Sequence, residues 1–369
     1  MAIVDTSPQP KSILNPDLEA LSVLAEKYNC RTFGSVEELL GDAEIGPNLD
    51  GVLVATPHAT HYSIGKELLR VVNQRKSNND KPLHILMEKP MTTDIDDAIN
   101  LYKLVEAESD GDSQFWLNHS ANYRAQTGMA REAIAAGKLG KIRSVNASFA
   151  SPLKWIFLDP KAIHWNEPTG NMIGNGFGWG QSSHLLAFLF HILPELQPET
   201  VYCRMTHSKI TGADIAHSAT IECYDASSKD TVVINMSGTT LLPGKANSEP
   251  CVAKLLQIDV YGDDGSLHYG GNDLDPSSGS LEYREASGLI EVLCDRFEFE
   301  NYENEHHGPD SLENFVELCC GGYGDKIPTA GANVLDGLVS SCVVHDSDGL
   351  TFNFLYSRIL IAPFQNCFS

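Results

Sequence analysis

Basic side chains are scarce. Lysine and arginine number 26 against 49 aspartates and glutamates, a net charge of −23 at pH 7, which excludes attraction to nucleic-acid phosphates or anionic lipid by bulk charge. A small local basic pocket is still allowed. Long apolar runs are missing too: the longest, Leu185 to Leu193, is broken by His191 and falls far short of the ~20 residues a membrane span needs. The chain opens MAIVDTSPQPKS with no basic stretch feeding an apolar one, so no secretion signal is expected. Nine cysteines include no C-x-x-C pair, and adjacent Cys319 and Cys320 suit neither a zinc knuckle nor a disulfide ladder. Reduced, buried thiols in a cytoplasmic protein are expected. Neither a repeat of fixed period nor a G-x-G-x-x-G fingerprint occurs.

What is present is a chain of 369 residues, 42% of them hydrophobic, enough for roughly two domains at the usual ~150 residues each. Up to residue 124 the pattern alternates between strand and helix, as βα units around a parallel sheet do. Expected strands are Ala2–Val4, Asp50–Ala55, His84–Met87 and Phe115–Leu117; expected helices include Leu18–Tyr28, a short one opened by the S-x-x-E capping box at Ser35–Glu38, and Ser63–Val72 followed by a polar insertion QRKSNNDK. From residue 125 a helix GMAREAIAAGKL leads into long strand-like runs, IRSVNASFA, ATIECY, TVVINMSG and LLQIDVYG, with Asp-Gly at 264–265 as a hairpin signal. Ser311–Cys319 and Ala330–Val344 are expected to be helical. The fold expected is α/β: an incomplete Rossmann-like parallel sheet over residues 1–124, then an α+β domain over residues 125–369 with a large open, mostly antiparallel sheet.

Chemistry-bearing residues gather at the carboxyl ends of the first strands, the edge where open α/β sheets bind ligands. Asp5, ending the first strand, is placed like the acid that holds the ribose 2′-hydroxyl of NAD, or is simply a solvated loop carboxylate. Lys89, between Glu88 and Pro90, could polarise a substrate hydroxyl or pair on the surface with its neighbour. The glycine-dense stretch GNMIGNGFGWGQSSH runs into a helix, so its N–H groups could converge on an anionic or hydroxylated ligand, or it is a tight turn. His184, within one turn of it, could move a proton, whereas His191 reads as a core histidine. His58 and His61 lack companions for a metal site, and no metal is expected.

Taken in order, Thr56-Pro57 with His61, ILMEKP at residues 85–90, GKLGKI at 137–142, the glycine run into His184 and IDVYGDDGSL resemble the glucose–fructose oxidoreductase, inositol dehydrogenase and rhizopine catabolism family (Gfo/Idh/MocA). The resemblance runs from Asp5 to about Gly349. It implies a Rossmann domain joined to a substrate domain whose open sheet mediates homo-oligomerisation, and an NAD(P)-dependent oxidoreductase of sugars, polyols or related alcohols. Carried over, Asp5 is the ribose-binding acid, favouring NAD over NADP by charge; Thr56, Pro57 and His61 line the nicotinamide side. Glu88 and Lys89 match the EKP motif, whose lysine touches the reacting hydroxyl, and His184 matches the general acid/base. Asn122 faces the cofactor, and Tyr123, Arg124, Trp179, Gln181 and His184 form the substrate side. Two departures stand out: no glycine fingerprint precedes Asp5, and Gly180 stands where the D-x-x-x-H motif has its aspartate. They leave a second expectation, a non-catalytic ligand-binding or regulatory protein of the same fold, and a third, an incomplete gene model of an active enzyme.

Overall fold

The computed structural model describes residues 2–4, 23, 25–108, 112–159, 172, 174–243, 254–272, 275–297, 310–321, 332–333 and 352–353. Asp5, most of the helix expected over Leu18–Tyr28 and most of that over Ala330–Val344 lie outside them. Ala2–Val4 (β1) and Arg31–Phe33 (β2) form a parallel pair of their own. Ser35 then caps helix α1 (Val36–Gly41): its hydroxyl accepts from the Glu38 N–H, and the Glu38 carboxylate reaches back to the Gly34 N–H, a capping box displaced by one residue.

Gly51–Val54 (β3), His84–Glu88 (β4) and Phe115–Asn118 (β5) lie side by side in parallel. Their continuous apolar runs reflect cover on both faces. On one face Val54, Ile85, Met87 and Leu117 pack against Leu68 and Val72 of α2 (His61–Asn78) and Leu101 of α3 (Ile95–Glu108). α2 outruns the expected Ser63–Val72 because the polar QRKSN is helix-compatible: the Arg75 guanidinium bonds the Gly46 and Leu49 carbonyls, and Asn79, at φ +58°, ends the helix. On the other face Leu86 and Trp116 meet Phe315 and Leu318 of a late helix, Asp310–Cys319. Leu53, in register with Leu86 and Trp116, lacks that cover and is 45% exposed. Ala332–Asn333 pairs antiparallel with β5, so this stretch is strand where helix was expected. Residues 310–319 and 332–333 thus complete the first sheet, although they lie beyond the division at 124/125.

After α4 (Ala125–Ala135) the chain forms the large sheet. Its strands are β6 (Ile142–Ala150), β7 (Leu196–His207), β8 (Asp214–Asp225), β9 (Thr231–Thr239), β10 (Leu255–Gly262), β11 (Gly265–Asn272), β12 (Asp275–Glu285) and β13 (Ile290–Phe297), ordered β13-β12-β11-β10-β6-β9-β8-β7 with Phe352–Asn353 beyond β7. All pairs are antiparallel except β6–β9. The turn between β10 and β11 is Asp263–Asp264, and Gly265 already belongs to the strand. Alternation splits the faces. Val145, Ile221, Ile234 and Val260 point to a core shared with α5 (Ser183–Ile192), nearly all of whose side chains are buried. The opposite face carries a polar row, Thr220, Asn235, Asn146, Asp259, His268 and Glu282, in register across six strands.

Candidate active site

The carboxyl ends of β3, β4 and β5 meet the glycine run and α5. β4 ends at Glu88 and is followed by Lys89 and Pro90, the Lys89–Pro90 peptide being cis. The Lys89 ammonium donates to the Gly180 carbonyl (2.7 Å), four residues before His184. Glu88 is held by Asn118, its register partner on β5, whose side-chain amide donates to the carboxylate. His61 sits with Nδ1 2.7 Å from the Pro90 carbonyl and Nε2 3.0 Å from the Thr56 carbonyl. It therefore clasps the two loops with a buried ring. Thr56 keeps its hydroxyl 2.7 Å from that of Thr60, and Pro57 precedes the turn His58–Thr60.

The glycine run works by close approach. Gly178–Ser182 forms a π-turn leading into α5, and the Gly178 N–H is taken by the buried carboxylate of Asp214. That amide is spent inside the protein. A methyl group at 176 would overlap the Asp214 carboxylate and backbone nitrogen. Gly176→Ala is expected to lower stability by about 1–3 kcal/mol, read as a shift in urea midpoint at constant slope. Gly180 is different: a Cβ there meets nothing closer than 3.9 Å. The run also ties the two sheets together, because His58 Nδ1 bonds the Asn175 side chain.

His184 faces a cavity of about 90 Å³ lined by Ser120, Arg124, Gln181, Lys254 and an apolar wall that includes Phe149 and Phe188. Its pKa is pushed well below the usual histidine value, first by burial and then by the positive charge of Lys89, with His119, Lys254 and Arg124 adding to the effect. Edge-on to it, ring centroids 5.4 Å apart, lies His119. Burial, followed by Lys89, lowers the His119 pKa to about 3. Both His119 nitrogens, both polar atoms of the Asn122 side chain and Oδ1 of Asn118 are buried without a hydrogen-bond partner in the structure.

The sequence-predicted residues divide accordingly. Arg124, Gln181 and His184 line the cavity, Lys89 reaches the Gly180 carbonyl at the turn before His184, and Asn122 is buried in the turn Ser120–Tyr123. Tyr123 instead joins the core under the late helix, its ring against Trp116, and Trp179 is buried in the core of the large sheet. Its place there follows from a π-turn that points the indole inward. Sequence reasoning passed over Asp214, His119 and Lys254. Asp214 sits at the head of a strand and Lys254 just before one, where nothing local distinguishes them.

Comparison with known proteins identifies the family. A family model for the oxidoreductase family with an NAD-binding Rossmann fold matches residues 5–110, and one for the GFO/IDH/MocA C-terminal domain matches residues 128–268. An uncharacterized oxidoreductase from Synechocystis sp. is 22% identical over 279 residues, 72% of this chain and 66% of its own. The inositol 2-dehydrogenase of Mycolicibacterium smegmatis is 33% identical over 94 residues, 25% of this chain and 23% of its own. The matches thus span less than two thirds of these curated relatives. Levoglucosan dehydrogenase, solved with NADH and levoglucosan, shares the fold at a TM-score of 0.65 and 14% identity, covering 94% of this chain and 86% of that one. With both of its family's domain models matched in order along more than half its length, the chain belongs to the Gfo/Idh/MocA oxidoreductase family.

Proposed function

We propose that this chain is an NAD(P)-dependent dehydrogenase that exchanges a hydride with the CH–OH carbon of a sugar- or polyol-like substrate. The observation that carries the reading is the convergence of Lys89 and His184: the ammonium at the end of β4 reaches the turn that opens α5, and its charge is felt at the imidazole. A hydroxyl bound between them has its oxygen polarised by Lys89 and its proton accepted by the neutral ring of His184. A bound nicotinamide would supply the hydride-accepting chemistry for the same carbon. Buried, unpartnered polar atoms on Asn122 and His119 fit a group that brings its own hydrogen-bonding capacity, as a carboxamide or a polyol does, because leaving them unmet is costly. Thr56, Pro57 and Glu88 stand on the cofactor side of that edge, and the apolar wall keeps water from the proton transfer.

The reading includes a preference for NAD over NADP, since the Asp5 carboxylate would repel a 2′-phosphate, and self-association through the polar face of the large sheet. It also places the protein in the cytoplasm, in keeping with the absence of disulfides among the described cysteines. No helix among the described residues is long and apolar enough to cross a membrane. Calorimetric titration of NADH and NADPH into the folded chain tests the proposal. Micromolar NADH binding with weaker NADPH is the expected result. A folded chain that binds neither is not a dehydrogenase, and the regulatory reading would take its place.

A further inference from the structure

The open face of the large sheet, turned away from α5, carries a chain of linked side chains that the dehydrogenase chemistry does not use. Ser266 and His268 stand two residues apart on β11, hence on one face, and His268 is the register partner of Asp259 on β10. His268 Nδ1 lies 2.6 Å from one Asp259 oxygen, and its Nε2 lies 2.8 Å from the Ser266 hydroxyl. The other Asp259 oxygen accepts from the Gln257 side-chain amide at 2.8 Å. An ionised carboxylate only accepts, so the ring carries its hydrogen on Nδ1, and Nε2 of the neutral ring accepts from the serine. Burial is graded along these bonds: Asp259 is buried, whereas His268 and Ser266 are half-buried. Serine to Nε2 and Nδ1 to a buried acid is the arrangement of an acyl-transfer triad.

We propose that Ser266, His268 and Asp259 form a serine esterase site, separate from that at His184, for the carboxylic ester of a polyhydroxylated alcohol. The surroundings suit both halves of such a molecule. On β13, Ile290 and Val292, partners of Arg284 and Glu282, are about half exposed and offer an apolar rest for the acyl group. Next to Asp259 a concavity of about 370 Å³, lined by Asn146, Ser148, Asn235 and Gln257, offers polar partners to the alcohol. The Ser266 oxygen attacks the ester carbonyl while its proton passes to His268 Nε2. Arg284, the register partner of Ser266 on β12, bonds Glu282 at 3.1 Å and supplies a cation beside the oxyanion. The bond to the alcohol oxygen then breaks and the alcohol takes the proton from His268. Water, giving its own proton to the ring, cleaves the acyl-serine to the carboxylic acid and restores Ser266. No oxidant, metal or nucleotide enters the balance, so the proposal stands or falls apart from the dehydrogenase reading.

The test uses the full chain without cofactor, at a dilution at which sedimentation shows single chains, so that association across the face does not hide the serine. Diisopropyl fluorophosphate should transfer its phosphoryl group to Ser266 with loss of fluoride, the adduct being located by peptide mass. In His268→Asn the rate of labelling should fall about 10²-fold or more. Glucitol hexaacetate should release acetate, and Ser266→Ala should abolish the release; circular dichroism checks that both variants are folded, and if His268→Asn is not, Ser266→Ala alone decides. No adduct at Ser266, labelling equally fast in folded His268→Asn, no acetate released, or a release that survives Ser266→Ala overturns the proposal. NADH titrated into the same samples reports on the dehydrogenase separately, since none of these residues lies at its site.

Discussion

Replacing His184 by asparagine is expected to lower kcat by about 10²–10⁴-fold while NADH still binds, because in the proposed reaction the ring moves the substrate proton and it lies on α5, outside the Rossmann half. Lys89→Met should cost a comparable factor, and the double variant little more than either alone, since the two groups serve one oxygen. The pH profile carries further information. The His184 pKa lies well below the ordinary value, through burial first and the Lys89 charge second, so in the free enzyme the ring is neutral throughout the neutral range. Alcohol oxidation, which needs the neutral ring, should therefore be flat in this group's titration from neutral pH down to that lowered pKa and fall only below it. Ketone reduction needs the protonated ring and should gain as pH falls toward the same value. In Lys89→Met one depressing charge is gone, and the acid limb of the residual oxidation should move up toward about 6.5. A kcat for His184→Asn equal to that of the parent, or an acid limb unmoved by Lys89→Met, removes the corresponding residue from the mechanism.

Much of this site was legible because its signals are local. EKP closes an apolar run that has the length and composition of a covered strand, and a dense glycine stretch entering an apolar helix puts His184 at a helix start; both patterns survive folding unchanged. The contacts that the sequence leaves hidden join residues distant along it. His61 looks like a loop residue facing a ligand, but its two nitrogens meet carbonyls of two different loops. Tyr123 looks like part of a strand-end site until Phe315 and Leu318, nearly 200 residues later, cover the sheet face where it lies. Lys254 becomes a pocket residue only through the pairing of β10 with β6, and Asp214 becomes the partner of Gly178 only through the position of β8. The length of α2 was under-read for another reason: a run of polar residues ends a hydrophobic pattern without ending a helix.

Acidification should unfold the protein well before its carboxylates titrate, because its histidines are buried neutral. His119 is lowered to about 3, and His191 and His217 to about 4, in each case chiefly by burial. The unfolded chain binds these protons near pH 6.5 and the folded one does not, so stability is complete above about pH 6.5 and declines as pH falls toward the folded values. Between pH 6.5 and 5 each of the three forfeits about 1.6 kcal/mol, or about 5 kcal/mol together, against a total stability of about 5–15 kcal/mol for a typical protein. Asp42, Asp225 and Asp263 have lowered values and add their losses only at more acid pH, below the ordinary carboxylate range. Urea midpoints measured at pH 8, 6.5 and 5 should accordingly stay level over the first interval and drop steeply over the second. His217 isolates one contribution, since its Nδ1 has no hydrogen-bond partner in the structure and its Nε2 lies 3.4 Å from the Ser182 hydroxyl. In His217→Gln, stability at pH 8 should fall somewhat from lost packing against Phe177, and the loss between pH 6.5 and 5 should shrink by about 1.6 kcal/mol. A parent midpoint that is flat from pH 6.5 to 5 would mean that these rings gain partners or water on protonation, and the buried-neutral account would be wrong.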